Sequence, residues 1–214
     1  FRGNYNLTTL NGLQDWDTSA AVYMGDPAVS PGGTFSNCVK LTDISAISNW
    51  NVSNVKLMRD LFYNDKMLTD ITPLSNWKTT SVTCIDGLML ACGIRDVNAL
   101  KNWDTSKVWT TWGTFYKCPN LTNIDGISNW NTTSLRHMSI MFVETPIATL
   151  NALKNWDVSH VTDANEVFLG CSKLTDTSAL QSWNLNAIVP GRSTGVFKGC
   201  SSLELVGIPT QGDN

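Results

Sequence analysis

Tryptophan recurs along this chain at a nearly constant interval. After a first gap of 34 residues, the next five spacings are 27, 26, 27, 26 and 27 residues, which defines a register series: Trp16, Trp50, Trp77, Trp103, Trp130, Trp156 and Trp183. A period of this size is typical of repeat proteins, in which each unit buries its apolar face only against its neighbours. We therefore predict about seven stacked repeats of 26–27 residues, with the register Trp as core or stacking residues and not as an aromatic binding ladder.

Other apolar residues keep a fixed distance from the register Trp. An aliphatic residue stands five positions after six of them: Val55, Val82, Val108, Leu135, Val161 and Ile188. Twelve positions after the Trp stands an aromatic residue or Met: Phe62, Met89, Phe115, Phe142 and Phe168. These offsets are neither alternating nor helical, so they indicate a chain that turns several times per repeat around one axial core.

The same offsets predict the elements of each repeat. The segment after the Trp, such as residues 55–58, and the segment before it, such as residues 68–71, are predicted as short parallel strands. The Phe-x-x-Cys segment is predicted as a helical or 3-10 turn. No unit has room for two amphipathic helices of about ten residues, which excludes a solenoid of helix pairs. The predicted fold class is a right-handed repeat solenoid.

The repeats divide the chain into three parts of a single solenoid domain, residues 1–214. A cap-like unit at about residues 1–40 carries seven extra residues in a turn-rich insertion, within residues 24–33. Regular repeats follow over about residues 41–183, and a cap-like unit that drifts from the motif covers about residues 184–214. The chain starts at Phe1 without an initiating Met, so it is expected to be a fragment of a longer protein whose targeting and anchoring segments lie outside it.

The fourth unit shows the motif most fully, with Trp-Asp-Thr-Ser-Lys-Val at residues 103–108 and Phe-Tyr-Lys-Cys at residues 115–118. These motifs resemble the BspA-like leucine-rich repeats of bacterial surface proteins, in the branch found in mycoplasma lipoproteins and lactic-acid-bacterial wall proteins. The resemblance implies a leucine-rich-repeat-like solenoid, a surface location and a role in adhesion or ligand binding. The chain departs from the motif at three positions: Met89 in place of Phe, and Asp65 and Thr145 in place of Cys.

Two ladders of acidic and amide residues accompany the repeats. One follows the Trp directly, and the other stands seven positions before it: Asp17, Asn51, Asp104, Asn131, Asp157 and Asn184, then Asp43, Asp70, Asp96, Asn123 and Asp176. Asp or Asn followed by Ser or Thr favours an Asx turn, and stacked carboxylates repel each other without a cation. We therefore predict turns and no cofactor, with calcium binding as the lesser alternative.

Charge and hydropathy limit the possible partners. The chain carries 18 acidic and 15 basic residues, a net charge of −3, which provides no field for a phosphate backbone, so nucleic acid is not an expected partner. No apolar run reaches the roughly 18 residues that a membrane span requires, and no membrane insertion by this segment is expected.

Cysteine and histidine are sparse. Cys92 and Cys118 share one position in adjacent repeats, as do Cys171 and Cys200, and their backbones could lie within disulfide range. Parallel side-chain directions favour buried thiols over disulfides. The only two His, at positions 137 and 160, have no Ser or Cys placed beside them by the repeat, so we predict that the protein is not an enzyme.

Trp109 and Trp112 are the two Trp outside the register, six and nine positions after Trp103. Equivalent positions of successive repeats form a column. The columns of Trp109 and Trp112 carry polar or small residues in other repeats, so both columns are expected to face solvent; among these residues are Lys56, Arg59, Asp86, Arg136 and Ser139. Exposed Trp concentrate at binding sites. The predicted ligand-binding residues are Trp109, Trp112, Tyr116, Arg136 and Lys56, as a platform for sugar rings or a protein partner. Cover by an adjoining domain is the alternative.

The expected function is therefore a non-enzymatic binding or adhesion module on a bacterial cell surface. Its expected partner is a protein or glycan of the environment, of a host or of a neighbouring cell. The alternative is a structural spacer that presents a neighbouring domain, which predicts that substituting Trp109 and Trp112 changes no binding.

Overall fold

A computed structural model of the chain describes residues 1–26 and 28–203. The end of the predicted C-terminal cap, residues 204–214, lies outside the described residues. The helices of the described residues are six short 3-10 helices, each ending just before a register Trp: Ser45–Ile47, Thr72–Asn76, Asn98–Leu100, Asp125–Ile127, Asn151–Leu153 and Ser178–Leu180. In the described ranges no helix is long and apolar enough to cross a membrane. The Phe-x-x-Cys segments, predicted as helical or 3-10, are single turns outside these helices.

Backbone pairing between repeats takes the form of isolated parallel bridges. One column of bridges crosses the first predicted strand position, through Tyr23, Leu57, Cys84, Thr110, His137 and Asp163. Bridges at the second predicted strand position join Thr9 to Asp43 and Asp96 to Asn123. Corresponding residues of successive repeats therefore lie side by side and run in the same direction. Across the described residues no extended strand forms, because each repeat bends again within a few residues.

The bends depend on two left-handed residues per repeat. The first stands ten positions after the Trp and the second fourteen, with φ between 52° and 72°: Asp60, Gly87, Gly113, Ile140 and Glu166, then Asn64, Ala91, Lys117, Glu144 and Gly170. Each of these residues donates its backbone N–H to a carbonyl oxygen of the following repeat, over 2.7–3.1 Å. The residues that turn the chain thus also hold adjacent repeats together.

The buried apolar side chains form one continuous core from Leu10 to Cys200. Phe side chains of successive repeats stack along it with ring centres 5.4–5.7 Å apart: Phe35 on Phe62, Phe115 on Phe142, Phe142 on Phe168 and Phe168 on Phe197. Met89 fills the position between Phe62 and Phe115 and is fully buried. An unbranched thioether can fill such a gap without disturbing the column.

The inner register Trp are core residues, as predicted. Trp50, Trp77, Trp103, Trp130 and Trp156 are all buried, whereas Trp16 in the first unit is 54% exposed. From Trp50 onwards, each indole Nε1–H donates to a backbone carbonyl of the preceding repeat, over 2.9–3.1 Å. The indole satisfies its one polar group while its rings pack in the core, so it also fixes the spacing between repeats.

The predicted Asx turns are confirmed in both polar ladders. In each of the eleven positions, the Asp or Asn side-chain oxygen accepts the backbone N–H two residues further on. In each of these residues one side-chain oxygen is therefore engaged by its own turn. Within the described part of the chain, no group of three His, Cys, Asp or Glu side chains is arranged to hold a metal ion.

The prediction of buried thiols is also confirmed, since all six Cys are free and buried. Five of them direct the thiol to a backbone carbonyl of the preceding repeat, over 2.8–3.3 Å: Cys38, Cys92, Cys118, Cys171 and Cys200. Thr145, which replaces Cys in the fifth unit, donates its hydroxyl to the Phe142 carbonyl of its own turn. A small hydrogen-bonding side chain is what this column requires.

Candidate ligand-binding site

Trp109 lies on the surface at a point where its backbone is fixed on both sides. Its N–H donates to the carbonyl of Thr83 over 3.0 Å, and its carbonyl accepts the N–H groups of Arg136 and His137 over 2.9 and 3.1 Å. The indole is 45% exposed. The His137 ring meets it at 80° with centres 5.5 Å apart. The edge-to-face contact holds the exposed indole in one orientation.

Trp112 is fixed by Asp86 of the preceding repeat. Its N–H donates to Oδ1 of Asp86 over 2.9 Å, and its carbonyl accepts the N–H of Gly87 over 2.8 Å. The same Asp86 oxygen accepts the hydroxyl of Thr110 over 2.5 Å, and Oδ2 pairs with Arg59 over 3.2 Å. Asp86 thus organises the backbone between the two exposed Trp, and Trp112 remains 43% exposed.

The prediction that the column of Trp112 faces solvent is wrong for two of its members. Asp86 is 7% exposed and Ser139 is 5% exposed. Both side chains reach into the next repeat: Asp86 bonds to Thr110 and Trp112, and Ser139 bonds to Asp163. Short polar side chains can turn back onto neighbouring backbone, whereas the large indole of Trp112 cannot.

The two Trp line a single surface pocket of about 410 Å³. Its other lining residues come from several repeats: Ser30, Arg59, Asp60, Asp86, Thr110 and His137. This volume lies within the range usual for small-ligand sites. The pocket is therefore a property of adjacent repeats and not of the fourth unit alone.

The N-terminal insertion contributes Ser30 to the lining of the pocket. Ser30 donates its hydroxyl to Oδ2 of Asp60 over 2.8 Å, and the N–H of Gly32 reaches the same oxygen over 3.3 Å. Burial raises the pKa of the Asp60 carboxyl, although these two hydrogen bonds act to lower it. A Cβ at Gly33 would collide with the carbonyl of Asp60, so only glycine permits this approach.

Three of the five predicted site residues lie outside this pocket. Tyr116 is half-buried and its ring faces the ammonium of Lys117, with the Nζ 5.2 Å from the ring centre. Arg136 directs its guanidinium to carbonyls of its own turn, those of Thr133 and Leu135, over 3.2 and 2.9 Å. Lys56 is exposed two repeats before Trp109 in the same column. Only Trp109 and Trp112 are brought together.

The pocket also contains residues that the sequence prediction missed. Arg59 and Asp86 share the column of Trp112, which is a signal that periodicity alone could have revealed. Ser30 had no such signal, because it belongs to an insertion that occurs once. His137 stands in the repeat after Trp109, and its contact with the indole depends on the packing of adjacent repeats.

The pocket combines two exposed indoles with an ion pair whose charges cancel. The Arg59 and Asp86 side chains are 33% and 10% exposed. Indole rings provide apolar contact area at low conformational cost, and the ion pair and His137 place polar groups around them. This combination suits a ligand that has both an apolar face and hydrogen-bonding groups.

Comparison with known proteins gives one family. A family model described as "Mycoplasma protein of unknown function, DUF285" matches residues 1–93, 29–118 and 90–205. The three matches overlap and together extend over residues 1–205, as expected when one model fits a repeated sequence at several positions. No curated protein matches the chain.

Proposed function

The chain belongs to the DUF285 family of Mycoplasma proteins, and from this premise we propose that it is a ligand-binding module of a bacterial cell surface. The observation that carries the proposal is the pocket that contains Trp109 and Trp112. Both Trp are more than 40% exposed, and backbone hydrogen bonds hold Trp109 to both neighbouring repeats and Trp112 to the preceding one, so the two indoles project from a preorganised backbone. Such surfaces are uncommon on monomeric proteins and are enriched at binding sites.

The proposal includes the fold class and the finer relationship. We propose a right-handed, leucine-rich-repeat-like solenoid of the BspA-like type, as a single domain with cap-like units at both ends. Parallel bridges one repeat apart and the column of stacked Phe rings, in which Met89 takes one place, support this description. The Trp-Asp-Thr-Ser-Lys-Val and Phe-x-x-Cys motifs support the BspA-like relationship. Fold and family alone identify no ligand, so the proposed function depends on the pocket.

The proposed location is the outer surface of the cell, and the proposed partner is a glycan or protein of the surroundings. Charged residues make up only 15% of the chain, and the Asx turns leave a largely neutral polar surface. A surface of this kind suits contact with neutral ligands more than with charged polymers.

The spacer function is the alternative, and one observation favours it. Each repeat uses its polar side chains to close its own turns, which is sufficient to make a regular rod with no ligand. A spacer has no need of two exposed Trp, however, so the two functions differ in what those residues do.

The experiment is a screen of glycan arrays and host matrix proteins with three forms of the chain. These are the wild type, the double variant Trp109→Ala/Trp112→Ala, and the control Trp16→Ala, which removes an exposed Trp that does not line the pocket. We expect a ligand that binds the wild type and the control but binds the double variant at least about tenfold more weakly. Circular dichroism of all three forms checks the fold. Absence of any ligand, or equal binding by all three forms, would favour the spacer.

A further inference from the structure

We propose that the Trp109/Trp112 pocket binds a neutral pyranose ring of a glycan. The inference deepens the proposed function, because it names the ligand class of the same site. A pyranose has a face of C–H bonds and a rim of hydroxyl groups. The pocket has the complementary parts: two exposed indoles, beside which stand the Arg59–Asp86 pair and the His137 ring.

The indole surfaces match the C–H face of a sugar. The face of an aromatic ring carries partial negative charge, and the polarised C–H bonds of a pyranose carry partial positive charge. The His137 ring meets the Trp109 indole edge-to-face, and the backbone N–H of Trp112 donates to the Asp86 side chain. The Trp109 ring and the backbone that carries Trp112 therefore do not have to be ordered on binding, which favours affinity for a small ligand.

The charges of the pocket favour a neutral ligand. Asp86 has one carboxylate oxygen paired with Arg59 and the other bonded to Thr110 and to the N–H of Trp112. Asp60 is 2% exposed and accepts hydrogen bonds from Ser30 and Gly32. The Arg59–Asp86 pair adds no net charge and Asp60 is buried, so an anionic ligand would meet no excess of positive charge here, whereas the hydroxyl groups of a neutral ligand can hydrogen-bond with the ion pair.

The distribution of aromatic residues favours a compact ligand over an extended peptide. Both exposed Trp of the pocket come from one repeat, and the adjacent repeats carry Thr83 and Arg136 beside Trp109, and Asp86 and Ser139 beside Trp112. Successive repeats are separated by about 4.8 Å, so Asp86 lies one repeat from Trp112 and Arg59 lies two repeats from it. A ring stacked on Trp112 would direct its rim towards these polar groups. An extended peptide would need further apolar contacts along the column.

Saturation-transfer difference NMR with the wild-type chain tests the inference. The probes are the methyl glycosides of glucose, galactose, mannose and N-acetylglucosamine, with glucuronate, glucosamine and choline as charged comparators. At least one neutral glycoside is expected to show saturation transfer to its ring C–H protons. The affinity should fall at least about tenfold in Trp112→Ala, be partly retained in Trp112→Phe, and be unchanged in the control Trp16→Ala.

Two outcomes would overturn the inference. The first is binding of only the charged comparators, which would show that the pocket selects charge. The second is binding of no saccharide while a protein partner from the screen loses affinity in Trp109→Ala/Trp112→Ala. In that second case the binding function would stand and only the ligand class would be wrong.

Discussion

Asp65 shows how burial in the column of Cys residues controls the protonation of a single side chain. It occupies the position at which other repeats carry Cys, and its side chain is fully buried. Oδ1 accepts the N–H of Cys38 over 2.7 Å, but Oδ2 has no hydrogen-bond partner. Burial raises the pKa of the Asp65 carboxyl to about 8, and the bond from Cys38 offsets only part of this effect. At neutral pH the folded protein therefore holds this carboxyl mainly in its protonated form.

The substitution Asp65→Asn is expected to stabilise the protein at alkaline pH. Between the ordinary Asp pKa of 3.8 and a folded pKa of about 8, the folded state binds one proton more than the unfolded state. The free energy of unfolding contributed by Asp65 thus falls as pH rises through this window. An amide of equal size does not titrate, so the variant should be nearly equal to the wild type at pH 4 and more stable by about 5 kcal/mol at pH 8, because each unit of pKa difference is worth about 1.4 kcal/mol.

Urea unfolding from pH 4 to 8 measures this difference. Asp43→Asn is the matched control, since Asp43 is in an exposed Asx turn where hydrogen bonds from Ser45 lower the pKa of its carboxyl. Its effect on the pH dependence should be small and of opposite sign. A difference between Asp65→Asn and the wild type that is the same at all pH values would contradict the raised pKa.

At the scale of the element, the left-handed bends determine the shape of each repeat. They replace extended strands by single bridges and provide the N–H groups that join adjacent repeats. Several bends nevertheless use residues with a Cβ, including Ala91 with φ of 56°. A left-handed conformation costs such residues about 1–2 kcal/mol, so the bends are held by the bonds between repeats against local preference.

The substitution Ala91→Gly is expected to raise the free energy of unfolding by about 0.5–1 kcal/mol. Glycine removes the left-handed strain, and its greater freedom in the unfolded chain offsets part of the gain. Ala99→Gly is the matched control, because Ala99 is also half-buried but lies in the 3-10 helix Asn98–Leu100. That control should be destabilised. Thermal unfolding compares the two, and a loss of stability in both variants would show that the bend imposes no strain on Ala91.

At the scale of the whole molecule, each repeat is stabilised mainly by its two neighbours. Hydrogen bonds, Phe stacking and indole bonds all join units that are adjacent in sequence. The stability of such an array is approximately a sum over repeats and their interfaces. Units near the ends of the array have fewer interfaces to lose and should open more readily.

Amide hydrogen exchange is therefore expected to be slowest in the middle of the array. One series of equivalent N–H groups bonds to the next repeat over 2.7–2.8 Å: Asn37, Asn64, Ala91, Lys117, Glu144 and Gly170. Since the bonds are alike, differences in protection report position alone. Ala91 and Lys117 should exchange most slowly, and Asn37 and Gly170 fastest. Equal protection throughout would show that the described residues unfold as one cooperative unit.

The sequence by itself determined what recurs. The Trp and Phe positions, the Asx turns and the buried thiols each appear several times at one spacing, so their roles followed from local chemistry and period. A residue such as Trp103 needs only its own repeat and the preceding one to become a core residue, and both carry the same pattern.

Only the tertiary structure decided what occurs once. The insertion places Ser30 against Asp60, so that Ser30 lines a pocket whose two Trp belong to a repeat three units further along the chain. Side-chain length and direction then determine which column members reach that pocket, so Trp109 and Trp112 line it whereas Tyr116 does not. Periodicity fixes the position of a residue along the repeat, but long-range packing and hydrogen bonding determine where its side chain points.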